Sequence, residues 1–128
     1  MTPSDLCTHA ARRANIIAHS EQLRDSELSD AVNNLNGMLS MMSMERLLAD
    51  NGVMLPLGVN DAHTGLDDQL EYALIDLLAV RLAGVYGLSV APQIAQDARR
   101  AEINLKRWNA KPLYHKPDAV LNGMSGCS

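Results

Sequence analysis

Few residues in this chain have the types and spacing that catalysis or metal binding requires. The adjacent acids Asp67 and Asp68 would point about 100° apart on a helix, so they cannot act together on one substrate atom. We expect them instead to favour the positive end of a helix dipole. Asp61 and His63 offer two metal ligands, but no third ligand lies at a suitable spacing nearby. We therefore predict no metal site, no cofactor and no enzymatic activity.

The histidines and cysteines are also scattered. His9, His19 and His115 form no ligand motif, and we expect surface or connector positions for them. Cys7 and Cys127 lie far apart with no CxxC pair, which favours a reduced, cytosolic environment. We expect Cys7 to be a small core side chain.

The basic residues of the second half are the strongest binding signal. Residues 1–80 hold twelve acids and four bases, whereas residues 81–128 hold three acids and seven bases. This split indicates a head-to-tail electrostatic match between copies, or two faces with different partners; uneven solvated helix faces are the alternative. Specific DNA reading would need a helix-turn-helix with polar side chains on its second helix, and the acidic first part would repel a duplex. We favour docking on an acidic protein surface.

The composition predicts one domain in 128 residues. Hydrophobic residues make up 47% of the chain, but aromatics only 3%, with no Phe. A core of Leu, Ala, Met and Val favours closely packed helices, and so few aromatics argue against stacking platforms for nucleic-acid bases. No apolar run approaches membrane-spanning length and no signal-peptide pattern is visible. We expect a soluble, cytoplasmic protein that does not bind membranes.

The apolar spacing predicts an all-α fold, a small bundle of about four helices. Thr2 and Pro3 suit a helix start, and Asp25 or Ser26 is expected to cap the second helix. The third helix starts at a capping-box-like Thr64-x-x-Asp67. The predicted helices span about 3–15, 26–49, 64–86 and 92–110, and residues 111–128, with two prolines and a Gly/Ser-rich end, form an extended tail.

Two stretches leave alternatives open. Residues 53–63 contain Pro and Gly but also several apolar residues, so they form either a loop folded back on its own core or a projecting arm that buries them only against a partner. Met38, Met41, Met42 and Met44 crowd the end of the second helix, either all in the core or partly at a subunit interface.

Four phrases follow one another between residues 26 and 112: Leu35-Asn36-x-Met38-Leu39, Asn51-Gly52, the turn Tyr86-Gly87-Leu88-Ser89-Val90-Ala91-Pro92, and Lys106-Arg107-x-Asn109-Ala110. In their order and spacing they resemble the head-to-tail adaptor proteins of short-tailed bacteriophages, also known as head completion or packaged-DNA stabilisation proteins. The family commonly has a Trp shortly after the Met-Leu pair, where this chain has Met41 and Met42.

The resemblance implies a phage structural protein. Twelve copies would form a ring beneath the portal protein, seal the packaged genome in the head and create the docking surface for the tail hub or nozzle protein. The protein would belong to the virion and, during assembly, to the host cytoplasm. Packaged DNA would pass through the lumen without specific binding.

The same resemblance assigns candidate sites. The portal-binding tail would use Lys111, Leu113, Tyr114, His115, Lys116, Val120 and Leu121, and the tail-facing arm Met54, Leu55, Pro56, Leu57 and Val59. The resemblance also implies that helices two to four make the ring contacts, for which our own candidates are Met41, Met42, Arg99, Arg100, Lys106 and Arg107. Our further hypothesis is that Glu27 and Asp30 face the channel, so that DNA slides without sticking.

Other functions compete with this one. The chain could be a connector of the long-tailed-phage type, or a small helical interaction module without a phage role. A third alternative is a peptidoglycan-cleaving activity, for which Asp67 and Glu71 are the candidate carboxylates.

Overall fold

The computed structural model describes residues 1–50, 52, 54–61, 64, 66 and 68–114, with side chains at all of these except 46, 47 and 110–114. Five helices contain all the regular secondary structure in these residues, in agreement with the predicted all-α class. They are α1 Pro3–Arg13, α2 Asp25–Met41, α3 Glu45–Asp50, α4 Asp68–Val85 and α5 Pro92–Tyr114. No helix in this part of the chain is both long and apolar enough to cross a membrane.

Helix α4 is the centre of the bundle and contacts α1, α2 and α5. Leu74 and Leu78 of α4 are completely buried, as are Leu35 and Leu39 of α2. Small side chains from the neighbouring helices, such as Ala10 of α1, are buried against the same core and allow the helices to approach closely. The aliphatic core predicted from the composition is confirmed.

Helix α1 begins as the sequence predicts. Thr2 is extended and its hydroxyl accepts a hydrogen bond from Asp5 N at 3.0 Å, while Pro3 occupies the first helical position. The buried face includes Cys7, whose pKa burial raises to about 12. That thiol is a packed core group, as expected.

The predicted single helix over 26–49 is wrong, because the chain breaks at residues 42–44. Helix α2 ends at Met41, Ser43 takes a positive φ of 55°, and α3 starts at Glu45. The break turns Met44 and Leu48 into the core, where both are completely buried. The cap also differs from the prediction: Arg24 precedes the first turn, and the Glu27 carboxylate accepts from Arg24 N at 3.0 Å.

The segment after α3 folds back on the bundle, so the projecting-arm interpretation is wrong for Leu55, Leu57 and Val59. Leu57 is 4% exposed, and Leu55 and Val59 pack partly buried against the core. Asn36 of α2 holds the segment, since its amide accepts from Leu57 N at 2.7 Å and donates to Leu57 O at 2.9 Å. Met54 remains 84% exposed, and Pro56 is exposed as well.

Helix α5 continues to Tyr114, so the prediction that an extended tail starts at residue 111 is wrong for residues 111–114. Pro112 lies in the last turn of this helix. The predicted tail residues His115, Lys116, Val120 and Leu121 lie outside the described residues. The tail predicted for them stays a prediction.

A buried polar cluster fixes the start of α4 to the start of the chain. Glu71 is 1% exposed and accepts hydrogen bonds from the Thr64 hydroxyl at 2.5 Å and from the Met1 amino group at 2.9 Å. Thr64 N in turn donates to Met1 O at 3.0 Å. Because the Glu71 carboxylate is enclosed and partnered inside the fold, it is not accessible to a polymer substrate, and we do not propose the peptidoglycan-cleaving role for it.

Candidate subunit interface

An open apolar groove of about 500 Å³ lies where α2, α4 and α5 meet. It brings together three residues predicted for the ring interface, Met41, Met42 and Arg99. Its lining consists of Met38, Met41, Met42, Leu77, Val80, Arg81, Ala95, Ala98, Arg99 and Glu102. Methionine, leucine, valine and alanine side chains provide most of this surface, which suits contact with another apolar surface.

The break after α2 decides how the methionines divide between core and groove. Met38 and Met44 are buried, whereas Met42 is half-buried and Met41 is 75% exposed. The core-only interpretation of the methionine cluster is therefore wrong for Met41. A flexible, unbranched side chain at the mouth of a groove can adapt to a partner surface of irregular shape.

The rim of the groove is basic. The Arg81 guanidinium donates to the Asn34 side chain at 3.4 Å and contacts the Met41 sulfur at 3.7 Å. Glu102 pairs with Lys106 at 3.2 Å. Neither Arg81 nor Arg99 forms an ion pair with an acid in the part of the chain that the structure describes. The groove thus combines an apolar floor with two guanidinium groups whose charge is not neutralised there.

The other predicted interface residues lie outside this groove. Arg100 lines the opposite flank of α5. Lys106 and Arg107 are exposed on the same helix, with Lys106 held by Glu102. The structure therefore separates the predicted set into groove residues and residues on other faces of α5.

The predicted channel residues Glu27 and Asp30 lie near the turn between α4 and α5. Burial raises the pKa of the Tyr86 phenol, and the carboxylates of Glu27 and Asp30 raise it further. Glu27 is half-buried and serves the helix cap, whereas Asp30 is exposed. Their orientation towards a channel stays a prediction.

The opposite flank of α4 and α5 is polar and was not predicted. A depression of about 220 Å³ between the two helices includes Tyr72, Asp76, Asp97 and Arg100. A second cleft of about 560 Å³ lies between α1 and α4, and it brings His9 and His19 near Tyr72. Sequence spacing could not reveal this cleft because its residues come from separate segments.

Arg13 joins three helices beside this polar flank. Its Nη2 atom lies 2.8 Å from Asp97 Oδ2, and its Nε atom forms a close ion pair, rather than an aligned hydrogen bond, with Asp76 Oδ1. Burial raises the pKa of the Asp76 carboxyl; Arg13 opposes this, and nearby Asp97 adds to it. The network ties α1, α4 and α5 together and so fixes the position of α5 on the bundle.

Comparisons with known proteins identify no relative whose function could be compared with this site. A scan against protein-family models finds no match, and a search of the curated proteins finds no significant relative. Among the described residues, no three His, Cys, Asp or Glu side chains are grouped so that they could hold a metal ion.

Proposed function

We propose that the protein is a head-to-tail adaptor of a short-tailed bacteriophage, which forms a ring of twelve copies beneath the portal protein. The ring would close the filled head and present a surface to the tail hub or nozzle protein. The observation that carries the proposal is the methionine-lined groove between α2, α4 and α5. It leaves Met41 75% exposed and holds three of the residues predicted for the ring contacts, Met41, Met42 and Arg99.

An exposed apolar surface with charged groups at its edge is typical of a protein-protein contact. In a closed ring every copy supplies the same surface to a neighbour, so each groove would be covered once the ring forms. The tail-facing role then falls to the exposed Met54 and Pro56, because Leu55, Leu57 and Val59 are used by the protein's own core.

The segment after α5 would attach the ring to the portal protein. Residues 115–128 include Val120 and Leu121 between polar and small residues. Such a segment has apolar anchors but too few of them to form a core by itself, so it suits binding in an extended form to another protein. Removing residues 115–128 is expected to leave the bundle folded and to abolish attachment to the portal protein.

Substitution of Met41 tests the ring directly. Met41→Glu changes a side chain that is 75% exposed, so the free energy of unfolding should change by less than about 0.5 kcal/mol. The charge would nevertheless prevent close packing of a neighbour, and the number of copies bound to the portal protein should fall. Met54→Glu is the matched control, because Met54 is 84% exposed but lies outside the groove.

The two variants distinguish an adaptor from an independent interaction module. Loss of assembly on the portal protein with Met41→Glu, and normal assembly with Met54→Glu, would support the proposal. Equal assembly by both variants would show that the groove is not the ring contact. A wild-type chain that binds no portal protein would favour a helical module without a phage role.

A further inference from the structure

The α4–α5 pair carries a different surface on each flank. The apolar groove uses Leu77, Val80 and Arg81 of α4, whereas the polar depression uses Gln69, Tyr72, Ala73 and Asp76 of the same helix. The two sets share no residue on α5 either. One copy could therefore offer its groove to one neighbour and its polar flank to another. Two different surfaces of this kind are what a heterologous, ring-closing contact requires.

Tyr72 is the protruding group of the polar flank. It lines both the cleft beside α1 and the depression beside α5, so it forms a ridge between them. Its side chain is 65% exposed, which makes it more exposed than Tyr86 or Trp108, the other aromatic side chains that are described. Tyrosine is enriched in interfaces because its ring supplies apolar area while its hydroxyl can remain hydrated.

We infer that Tyr72 of one copy inserts into the methionine groove of the next copy. This inference rests on the proposed ring and names the surface that fills its groove. The open groove of about 500 Å³ has room for one aromatic side chain. A tyrosine buries about 150–250 Å² of surface on complete burial, so its insertion would remove much of its exposed area from water. Contacts between the aromatic ring of Tyr72 and the sulfur atoms of Met38, Met41 or Met42 would further stabilise the inserted side chain.

The charges around the two surfaces are complementary. Asp68, one helical turn before Tyr72, is exposed and forms no ion pair with the residues that the structure describes. When Tyr72 enters the groove, Asp68 would approach its basic rim, formed by Arg81 and Arg99. These guanidinium groups are also without an acidic partner among the described residues, so the contact would neutralise charges that the single copy leaves unpaired.

Cross-linking between engineered cysteines tests this contact. Met41→Cys and Gln69→Cys are made as single variants and combined in one chain, all carrying Cys127→Ser. Gln69 is exposed beside Tyr72 on the polar flank, so the tyrosine itself stays in place. Cys7 can remain because burial makes its thiol unreactive in the folded protein. Each sample is treated with a short bis-maleimide, both alone and after mixing with the portal protein of the same genome. The control pair replaces Gln69→Cys with Ser29→Cys, an exposed position near the other end of α2.

The expected result is a covalent dimer only when the Met41→Cys and Gln69→Cys chains are mixed, and a ladder of multimers from the chain that carries both. The control pair should give at least tenfold less product. A portal-bound ring without cross-links between positions 41 and 69 would overturn this contact but leave the adaptor proposal intact. Cross-links without any binding to the portal protein would keep the contact and overturn the adaptor proposal. Absence of cross-links in both samples overturns the contact.

Discussion

Asn36 is the residue whose loss should most clearly release the segment that follows α3. Its side chain makes two hydrogen bonds with the backbone of Leu57, at 2.7 and 2.9 Å, across 21 residues of sequence. Asn36→Ala removes both and leaves the Leu57 N–H and C=O to find water or remain unpaired. Because Leu57 is a buried anchor of this segment, the loss should destabilise the fold as well as the loop.

The expected loss in the free energy of unfolding can be calculated from these two hydrogen bonds. Each contributes about 0.5–1.5 kcal/mol net, so their removal costs about 1–3 kcal/mol. Alanine is a better helix former than asparagine, which offsets roughly 0.5 kcal/mol. The expected net loss is about 0.5–2.5 kcal/mol, or roughly 2–12 °C in the midpoint of thermal unfolding. Cleavage within residues 54–61 by a protease should also become faster at temperatures where the bundle is folded.

Thermal unfolding followed by circular dichroism, with limited proteolysis in parallel, measures both effects. Asn33→Ala is the matched control, because Asn33 is an exposed asparagine on the same helix with no side-chain hydrogen bond to the described residues. It should leave the protein unchanged or slightly more stable. If Asn36→Ala unfolds at the same temperature as Asn33→Ala and is cleaved at the same rate, the two hydrogen bonds of Asn36 do not hold the segment.

Two further predictions concern stability. Gly84→Ala should stabilise the protein by about 0.5–1 kcal/mol in urea unfolding, because a Cβ at this helical position meets no atom within 4 Å. Gly87→Ala should instead destabilise it, because Gly87 has a φ of 70°. The second prediction is that Asp76→Asn gains stability relative to wild type as the pH rises above 3.8, the ordinary pKa of an aspartate. The pKa of the Asp76 carboxyl is raised in the folded protein, so the protonated carboxyl stabilises the wild-type fold. This stabilisation is fully present below pH 3.8 and is lost as the pH rises through the pKa of the folded state. If Asp76→Asn instead loses stability relative to wild type over the same pH range, the attraction of Arg13 for the Asp76 carboxylate is stronger than the cost of burying its charge.

The parts of the fold that depend on neighbouring residues could be predicted from the sequence. Thr2 and Pro3 lie directly before the apolar stripe of α1, and the cap they form involves residues only three positions apart. The same holds for the end of α4, where Gly87 supplies the positive φ that the turn needs. In these places the local chemistry and the tertiary packing agree.

The break between α2 and α3 could not be predicted in this way. The helical pattern continues through Ser43, but burial of Met44 requires a change of direction there. Asn109 stabilises the turn by donating to the Ser43 carbonyl at 3.0 Å, across 66 residues of sequence. A contact of that range depends on how α5 lies against α2 and α3.

The groove was predicted only in part for the same reason. Its methionines and Arg99 were recognised as interface candidates, but their division between core and surface depends on the break after α2. Tyr72 was missed because one exposed tyrosine has no sequence signal. Its importance follows from its place between two depressions on the flank opposite the groove.

The most direct test of the adaptor proposal is native mass spectrometry of the wild-type chain mixed with the portal protein of the same genome. The proposal predicts a discrete complex whose added mass equals twelve copies of the 13.9 kDa chain on one portal. A folded chain that adds no mass to the portal protein would contradict it.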